Sequence, residues 1–284
     1  MAVTVNDRSG TISGFRFGGT EFFALGAWVS DFGFQIGTDT ATFAKATATG
    51  GLVGMAAPSM SSDGGRITAS GTYRGLSFTR SYEILADDPV LKIETIFRNP
   101  TGSSVSLRAF ENTDPDQQGF STRNDVISVD GHAATLASAA SGLSVVMGTA
   151  PGQVATVRDF SVDNGHELNA FFGPAIDPNG AHGDTGHIIG LDLAVGAGSS
   201  AGYTSYYAAG YSASAAAGAF ADALASAEVP LPAALPMLLV GLGGLAAAKS
   251  RLRMTDARSA TPPLSARRKD SGPGAGAPRL KAAE

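Results

Sequence analysis

Apolar and polar positions alternate with a period of two through much of the first 210 residues. In Val90–Arg98, Leu91, Ile93, Thr95 and Phe97 fall on one side, and Lys92, Glu94 and Arg98 on the other. Successive side chains of an extended chain point to opposite faces, so this pattern predicts a half-buried strand. Leu76, Phe78, Tyr82 and Ile84 share a face in the preceding segment, and Val105, Leu107 and Ala109 alternate with Ser104, Ser106 and Arg108 in the following one. Between the last two lies Asn99-Pro100-Thr101-Gly102, where Pro presets φ and Gly tolerates positive φ. The flanking strands are therefore expected to pair as an antiparallel hairpin. Further strands are predicted over 11–17, 22–29, 126–129, 143–147, 154–157, 188–194 and 201–207, separated by Gly, Asp, Asn and Pro clusters. This spacing predicts an all-β fold, an antiparallel β-sandwich. A short helix is expected over 212–226, which is mostly Ala, with Phe220 and Leu224 four residues apart.

Composition changes the picture at one point. Every aromatic residue lies at or before Phe220, and the rest is rich in Ala, Pro, Leu and Gly, then basic. Residues 1–248 hold 11 basic and 22 acidic side chains, a net −11, whereas 249–284 hold nine and three, a net +6. An acidic body repels nucleic acid and anionic membrane surfaces, so no nucleic-acid partner is expected. The absence of cysteine excludes disulfides, thiol catalysis and Cys-ligated metals. Residues 229–248 carry no charge, and about 20 helical residues span a bilayer's hydrocarbon core. Pro230, Pro232 and Pro236 break regular helix at the start, which leaves 235–248 as the expected C-terminal hydrophobic helix. Lys249, Arg251 and Arg253 predict a cytoplasmic stop behind it.

Val229-Pro230-Leu231-Pro232-Ala233, the Leu/Gly-rich apolar stretch and the basic cluster, in that order, resemble the VPLPA-CTERM sorting signal, a relative of the PEP-CTERM signals. The resemblance covers residues 229–253. It implies recognition of Val229–Ala233 by an exosortase-type membrane protease, removal of the tail, and delivery of the body to the cell surface or extracellular matrix. Residues 1–8 lack the basic start and apolar core of a secretory signal, so the export expectation places a leader ahead of Met1. Residues 254–284, rich in Pro, Gly, Ala and Arg, are expected to be disordered.

Within the body, the most polar run is Glu111 to Gly119. Asn112, Asp114, Asp116 and Asp125 offer oxygen ligands of the kind calcium takes, although no EF-hand spacing is present; a solvated turn is the other reading. His182 and His187, five apart among glycines, are expected in a surface loop, and a metal site there lacks a third ligand. No nucleotide-binding glycine loop or nucleophile elbow occurs. Residues 78–116 resemble the sugar-mutarotase supersandwich, in which strands of this kind surround an Asn-containing turn. That resemblance implies a histidine acid and a glutamate base, yet residues 99–116 contain no histidine.

The resulting expectation is a sandwich over 1–226, a sorting signal over 227–253 and a disordered basic tail over 254–284. The body is expected to be non-catalytic, without cofactor unless calcium binds, with exopolysaccharide as a candidate partner. A secreted carbohydrate-active enzyme, with Trp28 or Tyr206 as an aromatic platform, and a plain membrane-anchored protein are the alternatives.

Overall fold

The expected alternation builds three sheets, and every strand pair in them is antiparallel. The computed structural model describes residues 1–23, 30–37, 42–46, 50–86, 88–118, 121–150, 154–159, 179–182 and 185–228. Residues Met1–Val229 form one unit of contacts. A small sheet joins β1 (Ala2–Val5), β2 (Ile12–Phe17) and β3 (Thr20–Glu21). A six-stranded sheet runs β15 (Val154–Asp159), β17 (Thr185–Val195), β11 (Val105–Thr113), β4 (Ser30–Ile36), β5 (Thr42–Lys45) and β6 (Gly51–Val53). A nine-stranded sheet runs β16 (Asn179–His182), β12 (Arg123–Val129), β13 (His132–Ser138), β14 (Ser144–Ala150), β18 (Ser200–Gly210), β10 (Val90–Arg98), β9 (Leu76–Ile84), β8 (Arg66–Tyr73) and β7 (Ser59–Asp63). The fold is the all-β antiparallel sandwich that the alternation predicts, followed among the described residues by a short helix, α1 (Ala213–Glu228).

The inward faces meet as the period of two requires. Phe78, Phe97 and Tyr203 of the nine-stranded sheet share a buried cluster with Phe32, Phe34, Leu107, Ala109 and Leu191 of the six-stranded sheet. Phe34 anchors it, its ring 4.8 Å from that of Phe97 at 84° and 5.2 Å from that of Phe78 at 60°. Such edge-to-face contacts set the positive ring edge against the negative ring face. A second cluster fills the other half of the interior with Tyr82, Leu91, Ile93, Met147, Ile189 and Tyr207, closed by Phe15 and Phe22 from the small sheet and its exit.

The expected hairpin across Asn99-Pro100-Thr101-Gly102 does not form. β10 pairs with β9 and β18, whereas β11 pairs with β17 and β4, so the turn is an arch that carries the chain from one sheet to the other. The alternation is the same for a hairpin and an arch; what differs is that Phe97 meets Leu107 and Ala109 across the core rather than lying beside them. Asn99 holds the arch. It is fully buried, its Nδ2 donates to the carbonyls of Ser103 (2.8 Å) and Val195 (3.0 Å), and its Oδ1 accepts from the Thr101 amide (3.0 Å) and hydroxyl (2.7 Å). Of the expected strand over 22–29, Phe22 and Phe23 follow β3 outside any strand, and 24–29 lie outside the described residues.

Helix α1 packs on the outer face of the nine-stranded sheet. Ser212 caps it, accepting the Ala215 amide at 3.1 Å, which satisfies one of the first-turn N–H groups. Ala216, Phe220, Ala223 and Leu224 recur every three or four residues and bury against Val90, Ala134, Val146 and Tyr206. Phe220 fits because residue 148 is glycine: a Cβ there would lie 2.4 Å from its ring. Among the described residues no helix is long and apolar enough to cross a membrane; the expected hydrophobic helix over 235–248 lies outside them. Phe220→Ala should cost about 3–5 kcal/mol of stability, read from urea midpoints, by emptying this site.

Candidate functional site

The interior polar groups are carried by strands whose neighbouring inward positions are apolar. Arg80 lies on β9 between Phe78 and Tyr82, and Glu111 on β11 follows Leu107 and Ala109 at the same parity. Both side chains are 2% exposed, and they meet across the two sheets as a two-pronged ion pair, Nη1 to Oε1 at 2.5 Å and Nη2 to Oε2 at 2.6 Å. Arg80 Nε donates to the Tyr82 hydroxyl (2.6 Å) and Nη1 to the Thr95 hydroxyl (3.0 Å), while its guanidinium lies 4.4 Å from the Phe32 ring centre. Tyr203 and Ser205 donate to Glu111 Oε1 at 3.2 and 3.3 Å. Tyr82 passes its own proton to the Gly10 carbonyl and so ties this rung to the loop before β2.

Electrostatics keeps the cluster in one protonation state. Burial pulls the Arg80 guanidinium down, but the Glu111 carboxylate, Tyr82 and Tyr203 together hold the group well above its ordinary pKa. Burial pushes the Tyr82 phenol up to about 12 against the opposing pull of Arg80, and raises that of Tyr203 further. Both phenols are therefore neutral donors. Glu111 is sealed, with Oε1 accepting from Arg80, Tyr203 and Ser205 and Oε2 from Arg80, which suits a structural strut.

A second polar contact crosses the sandwich. His187 on β17 is 1% exposed, and its Nε2 lies 2.8 Å from Asn124 Oδ1 on β12. Asn124 donates its Nδ2 to the Thr122 carbonyl, so Oδ1 is the acceptor and His187 carries its proton on Nε2. Burial lowers the His187 pKa to about 3, offset in part by Asp125. Nδ1 has no hydrogen-bond partner. The expected surface loop is replaced by strands: His182 ends β16 in the nine-stranded sheet and His187 enters β17 in the six-stranded one, so the two histidines belong to different sheets.

Three of the four candidate calcium ligands are buried rather than set in a solvated turn. Asn112, Asp114 and Asp116 are each at most 3% exposed at the end of β11, where the Asp116 amide donates to the Phe22 carbonyl. Neither polar atom of the Asn112 side chain has a hydrogen-bond partner. Asp125 sits on β12 of the other sheet, its carboxylate held by Arg123 at 3.0 and 3.2 Å. Among the described residues no three His, Asp or Glu side chains gather as a metal would require. Tyr206 is no aromatic platform: it is 1% exposed beneath Phe220 of the helix. Trp28, His166, Val229–Ala233, Lys249, Arg251 and Arg253 lie outside the described residues.

The sequence matches no family model and no curated protein. The fold has solved likenesses. A bacterial glucoamylase complexed with acarbose aligns with a TM-score of 0.53 at 13% identity, over 72% of this chain and 29% of that one. A polysaccharide lyase aligns at 0.47 and 14% identity, over 73% and 32% of the two chains. An aldose 1-epimerase fold from Escherichia coli K12 aligns at 0.42 and 10% identity, over 73% and 95%. This chain thus spans less than a third of the first two proteins. The likeness to the glucoamylase is one of fold: this chain shares its sandwich architecture with part of a carbohydrate-active enzyme.

Breaking the ion pair from one side should cost more than removing it whole. Glu111→Gln or Arg80→Met alone is expected to lose about 3–5 kcal/mol in urea denaturation, because one buried charge is left uncompensated. The Arg80→Met/Glu111→Leu double variant is expected to recover most of that loss. His187 gives a pH signature with a definite sign. Its folded pKa of about 3 lies below the unfolded 6.5, so the unfolded chain takes up the proton first. Stability from this group falls as pH drops through 6.5 toward 3, at about 1.4 kcal/mol per pH unit. His187→Gln, measured beside the parent from pH 7 to 4, should lack that part of the slope.

Proposed function

We propose that this chain is an exported bacterial surface or extracellular-matrix protein, whose non-catalytic sandwich is handed over by a C-terminal sorting signal. The observation that carries this reading is an order of chemistries: Val229-Pro230-Leu231-Pro232-Ala233, then uncharged sequence to Ala248, then Lys249, Arg251 and Arg253. The prolines hold the chain extended, as a protease cleft requires. The apolar stretch partitions into the bilayer and the cations stay on its cytoplasmic side. The partners are an exosortase-type protease and, before cleavage, the membrane. A cytosolic body behind the same tail would demand translocation of nine basic residues, against the positive-inside preference.

Support for a non-catalytic body comes from where the carboxylates are. Glu111 is consumed by Arg80. Among the described residues, a groove between strands on each outer face is lined by one carboxylate, Glu94 in one and Asp192 in the other. The rival reading, a secreted carbohydrate-active enzyme, needs two carboxyl groups facing one sugar linkage.

Intact-mass analysis of the protein from its host, beside a strain lacking the sorting protease, tests the reading. The expected product ends within 229–233 in the parent and retains the tail in the mutant. A product ending at Glu284 in both strains overturns it.

A further inference from the structure

The outer face of the nine-stranded sheet differs in charge from the acidic body that carries it. Strand parity places Asp63, Glu83 and Glu94 there with Arg66, Lys92 and Arg98, so the charges balance. The remainder of the face across β7 to β10 is dominated by hydroxyls. One cross-strand row runs Ser61, Thr68, Ser81, Glu94, Thr204, and the next runs Ser70, Thr79, Ile96, Gly202. Where these rows reach β18 they open into a groove of about 340 Å³, bordered by Glu94, Ile96, Ala150, Gly202 and Thr204.

Three features give the groove a ligand chemistry. Ile96 is 42% exposed and offers an aliphatic wall, one of few large apolar side chains left to solvent in the described residues. Gly202 forms the floor, where β18 and β10 pack so closely that a Cβ would lie 2.4 Å from the Thr95 carbonyl oxygen. Glu94 is oriented in advance: Arg66 Nη2 donates to its Oε2 at 2.8 Å and to the Ser81 hydroxyl at 2.6 Å, while no hydrogen bond reaches Oε1. A fixed carboxylate accepts from neighbouring hydroxyls, and an aliphatic wall covers the C–H face of a pyranose ring. The volume lies at the small end of ligand sites. A polyanion would be repelled by Glu94 and by the net −11 of residues 1–248.

We propose that this groove binds a neutral polysaccharide, one sugar unit against Ile96 and Glu94 and the chain running over the hydroxyl rows. The proposal rests on the surface or matrix reading above and names the ligand class of that body. The test uses the full chain in micelles of a detergent without a sugar headgroup, labelled at the isoleucine δ1 methyls. Cello-, laminari-, malto- and mannohexaose are titrated separately, with hexagalacturonate as the anionic comparison. At least one neutral hexaose should shift the Ile96 methyl and leave that of Ile84, 40% exposed on the same sheet, in place. Glu94→Gln, read at the Ile96 methyl, and Ile96→Ser, read by titration calorimetry because it removes that methyl, should each weaken the binding at least about tenfold without altering the other methyl signals. The proposal is overturned if no neutral hexaose moves Ile96 at about 10 mM, if both variants bind as the parent does, or if hexagalacturonate binds more tightly. Loss of tail cleavage in the host would sink the sorting reading and leave this titration unchanged, so the two failures are distinguishable.

Discussion

The sandwich is organised around one interaction, the ion pair of Arg80 and Glu111 between its two sheets. Each charge sits at an inward position of a strand whose other inward positions are apolar. Each is tolerable there only because the other arrives from the opposite sheet at hydrogen-bonding distance. A charge left alone in that interior would cost several kcal/mol, so the pair specifies which strand of one sheet faces which strand of the other. Tyr82, Thr95, Tyr203 and Ser205 complete it, drawing three neighbouring strands of the nine-stranded sheet into a single polar rung.

That rung divides the interior. One aromatic cluster packs around Phe34 and Phe78, the other around Tyr207 and Phe15, and Arg80 with Glu111 lies between Phe78 and Tyr82 along the strand. Apolar contacts are non-directional and tolerate sliding, whereas the two-pronged pair is tied to geometry. Burial supplies the bulk of the stability and the polar rung supplies the alignment. The His187–Asn124 contact repeats the device between β17 and β12 in a neutral form.

Arg80 and Glu111 are committed to one another in the interior, and ion pairs that meet solvent stand on the outer faces. The outer face of the nine-stranded sheet is split between two uses. Helix α1 covers one part through Phe220 and Gly148, and the hydroxyl rows beside Glu94 and Ile96 remain open to solvent. The architectural likeness to a domain of a glucoamylase fits a sandwich that many activities can share, and the activity belongs to sites added to it.

The strands were legible from the period of two wherever one face is apolar, as in Val90–Arg98, and α1 from its alanines with Phe220 and Leu224 four apart. The order of residue types in the tail, prolines, then an uncharged span, then cations, is likewise read from sequence alone. Sheet partnership was not legible. The alternation on either side of Asn99 fits a hairpin and an arch equally, and the choice falls to long-range pairing of β11 with β17 and β4. Short polar strands such as β7 escaped notice because no apolar period marks them. Arg80 and Glu111 did leave a signal, one cation and one anion each at an inward parity, but parity cannot say that the two strands face one another. Only the tertiary structure decided that, by bringing residues 31 positions apart to hydrogen-bonding distance, where each removes the other's cost of burial.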